Sequence, residues 1–191
     1  MRIIAGIFGG RHLKAAVASA TRPTSDRVRE ALASALDARG AFDDAQVLDL
    51  FAGTGALGFE AMSRGARHVV AVDSDRRALR CIGDNAKALG IADHVSALGF
   101  DLLKRQDVAI ERLRELNREP FTLVFADPPY AQTALVPAFL EALALADLLA
   151  PQALVGLEHA SALVPTIPTG FTLVSSYRYG GTATTILARL P

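Results

Sequence analysis

The sequence predicts an α/β fold: a seven-stranded, mostly parallel sheet covered by helices on both faces and closed by an antiparallel hairpin at its C-terminal end. Three observations predict it. From Gln46 onward, short apolar runs alternate with segments of helical periodicity, the pattern of a parallel sheet buried on both sides. The first apolar run opens into a glycine-rich loop, Ala52-Gly53-Thr54-Gly55-Ala56-Leu57-Gly58, placed where a strand turns into a helix. The last two runs have only Tyr179-Gly180-Gly181 between them, too short for a crossover and suited to a hairpin.

Taken in order, Arg2 to Lys14 alternates loosely around Gly6, Gly9 and Gly10, which predicts a short strand pair outside the main sheet. Pro23 then interrupts regular structure. Thr24 or Ser25 is placed to cap a helix whose apolar positions Val28, Ala31, Leu32, Ala35 and Leu36 recur at helical spacing. Strands are expected near Val47–Phe51, His68–Val72, His94–Leu98, Phe121–Ala126, Ala153–Glu158, Phe171–Tyr177 and Thr184–Leu190. Helices are expected near Leu57–Arg64, Arg76–Leu89, Lys104–Asn117 and Leu135–Leu149.

Two stretches carry chemistry. Asp127-Pro128-Pro129-Tyr130 ends the run Phe121–Ala126, and the two prolines forbid the strand from continuing. Asp127 therefore sits at the carboxyl end of a parallel strand, the edge where α/β sheets bind ligands. A planar group stacked on Tyr130 would offer an amino substituent to the Asp127 carboxylate and the prolyl carbonyls, all acceptors, which is what activating an amine requires. The plain alternative is an acidic turn after a strand. The glycine loop fits G-x-G-x-x-G at Gly53, Gly55 and Gly58, and Asp73 lies twenty residues past Gly53, where a carboxylate can accept ribose hydroxyls. A nicotinamide dinucleotide site would look similar. Asp49 inside the preceding strand, and the lack of an acid suited to hydride transfer near the later strands, weigh against it. Asp101 leaves the third strand either as a ligand acid or as a helix cap, and Asp73 with Ser74 has the same second reading.

Composition narrows the class further. Half of the 191 residues are apolar and 21% are charged, with no low-complexity tract, so one ordered domain with a full core is expected. Cys81 is the sole cysteine, which rules out an internal disulfide and a multi-cysteine metal site and suits a reducing compartment. No Pro-Cys nucleophile occurs. The histidines at 12, 68, 94 and 159 lack ligand spacing, and no metal is expected. The apolar start is too short for a signal peptide, and Thr133–Ala150 is broken by Pro137, Glu141 and Asp147, so neither export nor a membrane span is expected. Net charge is zero, yet residues 1–29 carry six basic side chains against Asp26 alone. Arg22, Arg27 and Arg29 crowd a helix N-terminus against its dipole, a cost of a few tenths of a kcal/mol that an anionic partner would offset. Phosphate contacts by Arg11, Lys14, Arg22, Arg27 and Arg29 are the functional expectation, and a solvated surface is the alternative.

With these motifs in this order the chain resembles the exocyclic-amino methyltransferases that share a [DNS]PP[YFW] motif, and more closely the RsmD-type 16S rRNA (guanine(966)-N(2))-methyltransferases. The likeness covers nearly the whole length: Arg2-Ile3-Ile4-Ala5-Gly6 with Gly10-Arg11, the start Arg22-Pro23-Thr24-Ser25-Asp26-Arg27-Val28-Arg29-Glu30, the loop from Leu48 to Gly58, and Ala126-Asp127-Pro128-Pro129-Tyr130. One departure is Tyr179-Gly180-Gly181-Thr182, where the family tends to carry Tyr-Gly-Asp-Thr. The resemblance implies a Rossmann-like class I fold in a single domain over residues 1–191, with a basic extension and helix at 1–40 and a cofactor-binding catalytic core at 41–191. It implies S-adenosyl-L-methionine as cofactor, seated by Asp49, Phe51, Gly53, Thr54, Gly55, Asp73, Ser74 and Asp101. Asp127, Pro128, Pro129 and Tyr130 would be catalytic, with the target guanine rotated out of the RNA so that its N2 takes the methyl directly. The implied partner is 16S rRNA or the small ribosomal subunit, met in the cytoplasm by a monomer. The motif also serves adenine N6 in DNA, and related motifs serve protein glutamine, so the acceptor stays open at this level, and an NAD(P)-binding Rossmann protein is the reading from another class.

Overall fold

The computed structural model describes residues 1–15, 26–102, 104–116 and 119–191. Seven strands, β1 (Gln46–Leu50), β2 (His68–Asp73), β3 (Val95–Gly99), β4 (Phe121–Ala126), β5 (Leu149–Ala160), β6 (Phe171–Tyr179) and β7 (Thr182–Arg189), lie in the order β3-β2-β1-β4-β5-β7-β6. The first five are parallel, and β7 runs antiparallel between β5 and β6. The chain order reverses between β1 and β4, so the crevice of the sheet opens at their carboxyl ends.

Two-residue alternation along the strands builds the two cores. On one face, α1 (Asp26–Asp37), α2 (Ala56–Ser63) and α3 (Arg76–Leu89) pack Leu32, Phe59 and Ile82 against Val47, Ala71, Phe125 and Ile186. On the other, α4 (Gln106–Leu116) and α5 (Val136–Leu145) pack Leu113, Phe139 and Leu140 against Leu48, Val70, Val124 and Val155. Strands buried on both faces need apolar side chains at every position, which is why β1 and β4 read as near-continuous apolar runs. Gly156 lets α1 approach the sheet closely, since an added Cβ would lie 3.2 Å from a Leu32 methyl and 3.3 Å from the Phe125 ring.

The strands fall near where the sequence places them, except that β5 begins at Leu149 rather than Ala153, and two helix bounds shift as well. Helix α5 stops at Leu145 rather than Leu149, because β5 starts at Leu149 and the Leu148 carbonyl already accepts from Phe121 at 2.8 Å. Pro151 is tolerated there because the register of β5 against β4 shifts beside it. Helix α4 starts at Gln106, two residues late. Among the described residues no helix is long and apolar enough to cross a membrane.

The N-terminal strand pair is reduced to one bridge, Arg2 with His12, and lies outside the sheet. Helix α2 explains its position. Every residue from Ala56 to Ser63 is buried, so the helix needs cover opposite the sheet as well as against it. Residues 3–8 supply that cover: Glu60 accepts the N–H groups of Ile4 at 2.7 Å and Ala5 at 3.1 Å, and Ser63 Oγ accepts that of Phe8 at 2.9 Å.

Candidate active site

The chain leaves β1 through Phe51, whose φ of 60° is a left-handed conformation that a bulky side chain adopts at a cost. Gly53 follows at 56°, and the Gly53 N–H donates to Asp73 Oδ2 at 2.8 Å. The other carboxylate oxygen of Asp73 accepts the Asp75 N–H, also at 2.8 Å. Asp73 is therefore fixed over the glycine loop with lone pairs left on both oxygens. It is not the cap of α3: Asp75 takes that role, accepting from the Arg77 N–H at 2.8 Å, while Ser74 lies exposed in the bend between them.

Asp49 points to the α2 side of the sheet, 1% exposed, and accepts the Gly58 N–H at 3.0 Å. Gly58 permits this contact, since a Cβ there would lie 2.8 Å from Val69 and 3.1 Å from Asp49 Oδ2. Burial pushes the Asp49 carboxyl up from 3.8 to about 7; the Gly58 N–H opposes the shift, and the charges of Asp127 and Asp73 add to it. The charges of Asp127 and Asp73 thus both act on Asp49 at the switch point of the sheet.

Asp127 extends β4 by one hydrogen bond, its N–H reaching Leu50 O at 3.4 Å, so the carboxyl ends of β1 and β4 meet at this residue. Pro128 is buried. Pro129, at φ −50° and ψ 134°, directs the chain into a short 3-10 turn over Tyr130–Leu135. Tyr130 is 43% exposed, with its hydroxyl 2.8 Å from Thr182 Oγ1 in β7. Asp101 follows β3, pairs with Lys104 at 3.2 Å and lies five residues before α4, so it is not a helix cap.

This donor set fits a cationic, amine-bearing cofactor better than a dinucleotide. The Gly53 amide, which a pyrophosphate would need, is committed to Asp73, and three acids at one crevice repel further negative charge. A sulfonium and an ammonium would be held by the same acids, with Asp73 placed for vicinal hydroxyls and Asp49 for positive charge.

The basic residues divide. Arg11, Lys14 and Arg27 are exposed, and Arg22 lies outside the described residues. Arg29 is not a surface phosphate ligand: it is 1% exposed and occupies the core-facing stripe of α1 with Leu32, Ala33 and Leu36, its Nη2 donating to Arg2 O at 2.9 Å and Asp26 Oδ1 at 2.7 Å. Its spacing of i, i+3, i+4 and i+7 with those three was the signal in the sequence. Asn85 and Thr182 were not foreseen either. Asn85, 2% exposed on α3, donates to the carbonyls of Lys14 at 3.2 Å and Thr54 at 3.3 Å, tying the basic segment to the glycine loop. No periodicity distinguishes such an asparagine from a surface one. Cys81 is buried, beside the same Lys14 carbonyl. Among the described residues no group of side chains could hold a metal ion. An apolar cavity of about 150 Å³ between the 161–170 segment and β6, lined in part by Leu163, Val164 and Leu173, contains none of the three acids.

Comparison with known proteins agrees with this geometry. The chain is 38% identical over 135 residues to the "Putative rRNA methyltransferase YlbH" of Bacillus subtilis, covering 71% of this chain and 70% of that one. It is 36% identical over 132 residues to Ribosomal RNA small subunit methyltransferase D of Escherichia coli K12, where the match covers 68% of this chain and 60% of the relative. The structure of "Putative methyltransferase yhhF from Escherichia coli" superposes with a TM-score of 0.80 at 30% identity, covering 100% of this chain and 98% of that one, so the fold is that of class I methyltransferases. Matched by the family model over residues 1–188, the chain belongs to the family described as Conserved hypothetical protein 95.

Proposed function

We propose that the protein is an S-adenosylmethionine-dependent methyltransferase acting on the exocyclic N2 of a guanine in 16S ribosomal RNA, guanine 966 by family resemblance. The observation that carries the reading is the meeting of Asp127-Pro128-Pro129-Tyr130 with the Asp49 and Asp73 loop at the switch point, in a chain whose relatives include Ribosomal RNA small subunit methyltransferase D.

Adenosylmethionine, when bound, supplies a methyl group activated on a sulfonium. Asp49, Asp73 and Asp101, with the turn from Phe51 to Gly55 and Ser74, would hold it. The remaining chemistry belongs to the chain. Guanine N2 is a poor nucleophile because its lone pair is delocalised into the ring. The Asp127 carboxylate and the Pro128 carbonyl accept its two amino protons, which returns electron density to nitrogen and fixes its orientation; such positioning supplies up to ~7 to 11 kcal/mol in favourable cases. Asp127 also receives the proton that nitrogen releases. Tyr130 gives the extruded base a stacking face in place of its neighbours in the RNA. Arg11, Lys14 and Arg27 contact phosphates around it. The 1–40 segment and the 41–191 core act together as one domain, with Glu60 and Asn85 as the joints between them.

The test is transfer of labelled methyl from adenosylmethionine to unmodified small subunits, naked 16S rRNA, duplex DNA and bulk protein in parallel, followed by nucleoside analysis. N2-methylguanosine from a ribosomal substrate is the expected product. Label in N6-methyladenosine or in protein would overturn the acceptor, and no label in any of the four would overturn the proposal.

A further inference from the structure

We propose that Thr182, in the C-terminal hairpin, is a positioning residue for the acceptor base: its hydroxyl holds the Tyr130 ring in the orientation that stacks. The inference rests on the function proposed above and adds to it a residue outside the motif.

Tyr130 has a fixed backbone and a side chain that needs fixing. Pro129 sets the entry to the 3-10 turn, and the Gln132 N–H closes that turn on the Pro129 carbonyl at 2.7 Å. Tyr130 as a whole is 43% exposed, so packing does not by itself select its rotamer. Its hydroxyl meets Thr182 Oγ1 at 2.8 Å, from a residue 52 positions away. A phenyl ring would stack equally well on a purine. The hydroxyl therefore has an anchoring use, and an aromatic side chain anchored at its far end has its conformational entropy removed before the base arrives.

Thr182 is built to be such an anchor. It opens β7, with Ala160 opposite it in β5 and Tyr179 opposite it in β6, so neighbours on both sides fix its backbone. Its β-branched side chain has few rotamers. The turn before it is braced to the end of β5 by the Ser161 N–H, which donates to Gly181 O at 3.0 Å. Gly180 and Gly181 are exposed, and a Cβ added to either would meet nothing within 4 Å, so the tip of the hairpin leaves open space near the tethered ring.

Two measurements test this separately from the reaction. The chain has three tyrosines and no tryptophan, so in a Tyr177→Phe, Tyr179→Phe background Tyr130 is the sole emitter above the phenylalanine range. Time-resolved anisotropy in that background should show a faster ring motion when Thr182→Val is added and none when Thr182→Ser is added. Identical decays for valine and threonine would overturn the tether whether or not any RNA is methylated. The second measurement is a double-mutant cycle on the ribosomal substrate. Thr182→Val and Tyr130→Phe should each lower kcat/KM about five- to thirtyfold, the double variant should lose no more than either single one, and Thr182→Ser should stay within twofold. Adenosylmethionine affinity should stay within twofold throughout. Multiplicative losses, or a serine variant as poor as valine, would overturn the positioning role; absence of methylation by the unaltered protein on every RNA would overturn the proposed function and leave the anisotropy result standing.

Discussion

Asp49 accepts the Gly58 N–H at 3.0 Å from within the sheet, and this bond fastens the first turn of α2 to β1 while leaving an acid of pKa about 7 beneath the glycine loop. Its proton should then be linked to the cofactor. A carboxyl whose folded pKa is raised above its unfolded value binds its proton more tightly in the folded chain. Asp49 therefore favours the folded state most below its unfolded value of 3.8, and that contribution is lost as pH rises through about 7. A cationic ligand reverses the preference by stabilising the carboxylate. Adenosylmethionine should bind roughly five- to tenfold more tightly at pH 7.3 than at pH 6, with proton release at pH 6 seen by calorimetry in buffers of different ionisation enthalpy. Asp49→Asn should abolish that proton release. Equal proton release in both proteins would show that Asp49 is not the linked group.

On the proposed reading Asp127 serves the acceptor rather than the cofactor, since it follows β4 and opens the two-proline turn to Tyr130. Asp127→Ala should reduce methylation by at least about a hundredfold, the scale of losing a positioned acid–base group, and leave adenosylmethionine affinity within a few-fold. Single-turnover rates and equilibrium binding on the same preparation separate the two effects. Near-normal turnover would remove Asp127 from the chemistry.

Glu60 is 1% exposed and serves three donors at once, the N–H groups of Ile4 and Ala5 and the Arg64 guanidinium at 2.9 Å. Glu60→Ala leaves two amides without their acceptor and the Arg64 guanidinium with Asp37, at 3.0 Å, as its remaining carboxylate. The expected loss is about 3 kcal/mol in urea unfolding, and Glu60→Gln, which keeps an acceptor oxygen, should recover part of it. A loss below ~1 kcal/mol in the alanine variant would mean that water takes over these bonds and that residues 3–8 are only loosely applied to α2.

Sheet, loop and motif were legible because each rests on a local rule. Strands buried on both faces must be apolar throughout, Gly53 has to adopt a positive φ, and prolines 128 and 129 must stop β4. What the sequence concealed depends on pairs far apart along the chain. Glu60 looks like the solvated side of an amphipathic helix until residues 3–8 are laid across it, and Thr182 looks like an ordinary strand residue until Tyr130 reaches it from 52 positions away. Arg29 misled for a related reason. Clustered with Arg22 and Arg27 it counts as surface charge, whereas its register on α1 places it with Leu32, Ala33 and Leu36.

That division of the arginines gives a prediction in which two sets of variants behave oppositely. Arg11, Lys14 and Arg27 are exposed, Lys14 in a solvent-exposed pair with Asp84, so their charges can displace counterions from RNA. Changing all three to glutamine should weaken RNA binding and lower the slope of log K against log salt by about 0.7 for each phosphate no longer neutralised, up to ~2 in total. Stability should hardly change, because exposed pairs such as Lys14 with Asp84 at 3.7 Å contribute little. Arg29→Met should do the reverse. Its guanidinium is enclosed and holds Asp26 and the Arg2 carbonyl together, so its removal should shift the unfolding midpoint and leave the salt slope as it was. Salt titrations and urea melts on both variants read the two quantities independently. A salt slope that falls in the Arg29 variant without a change in unfolding would return that arginine to the RNA surface.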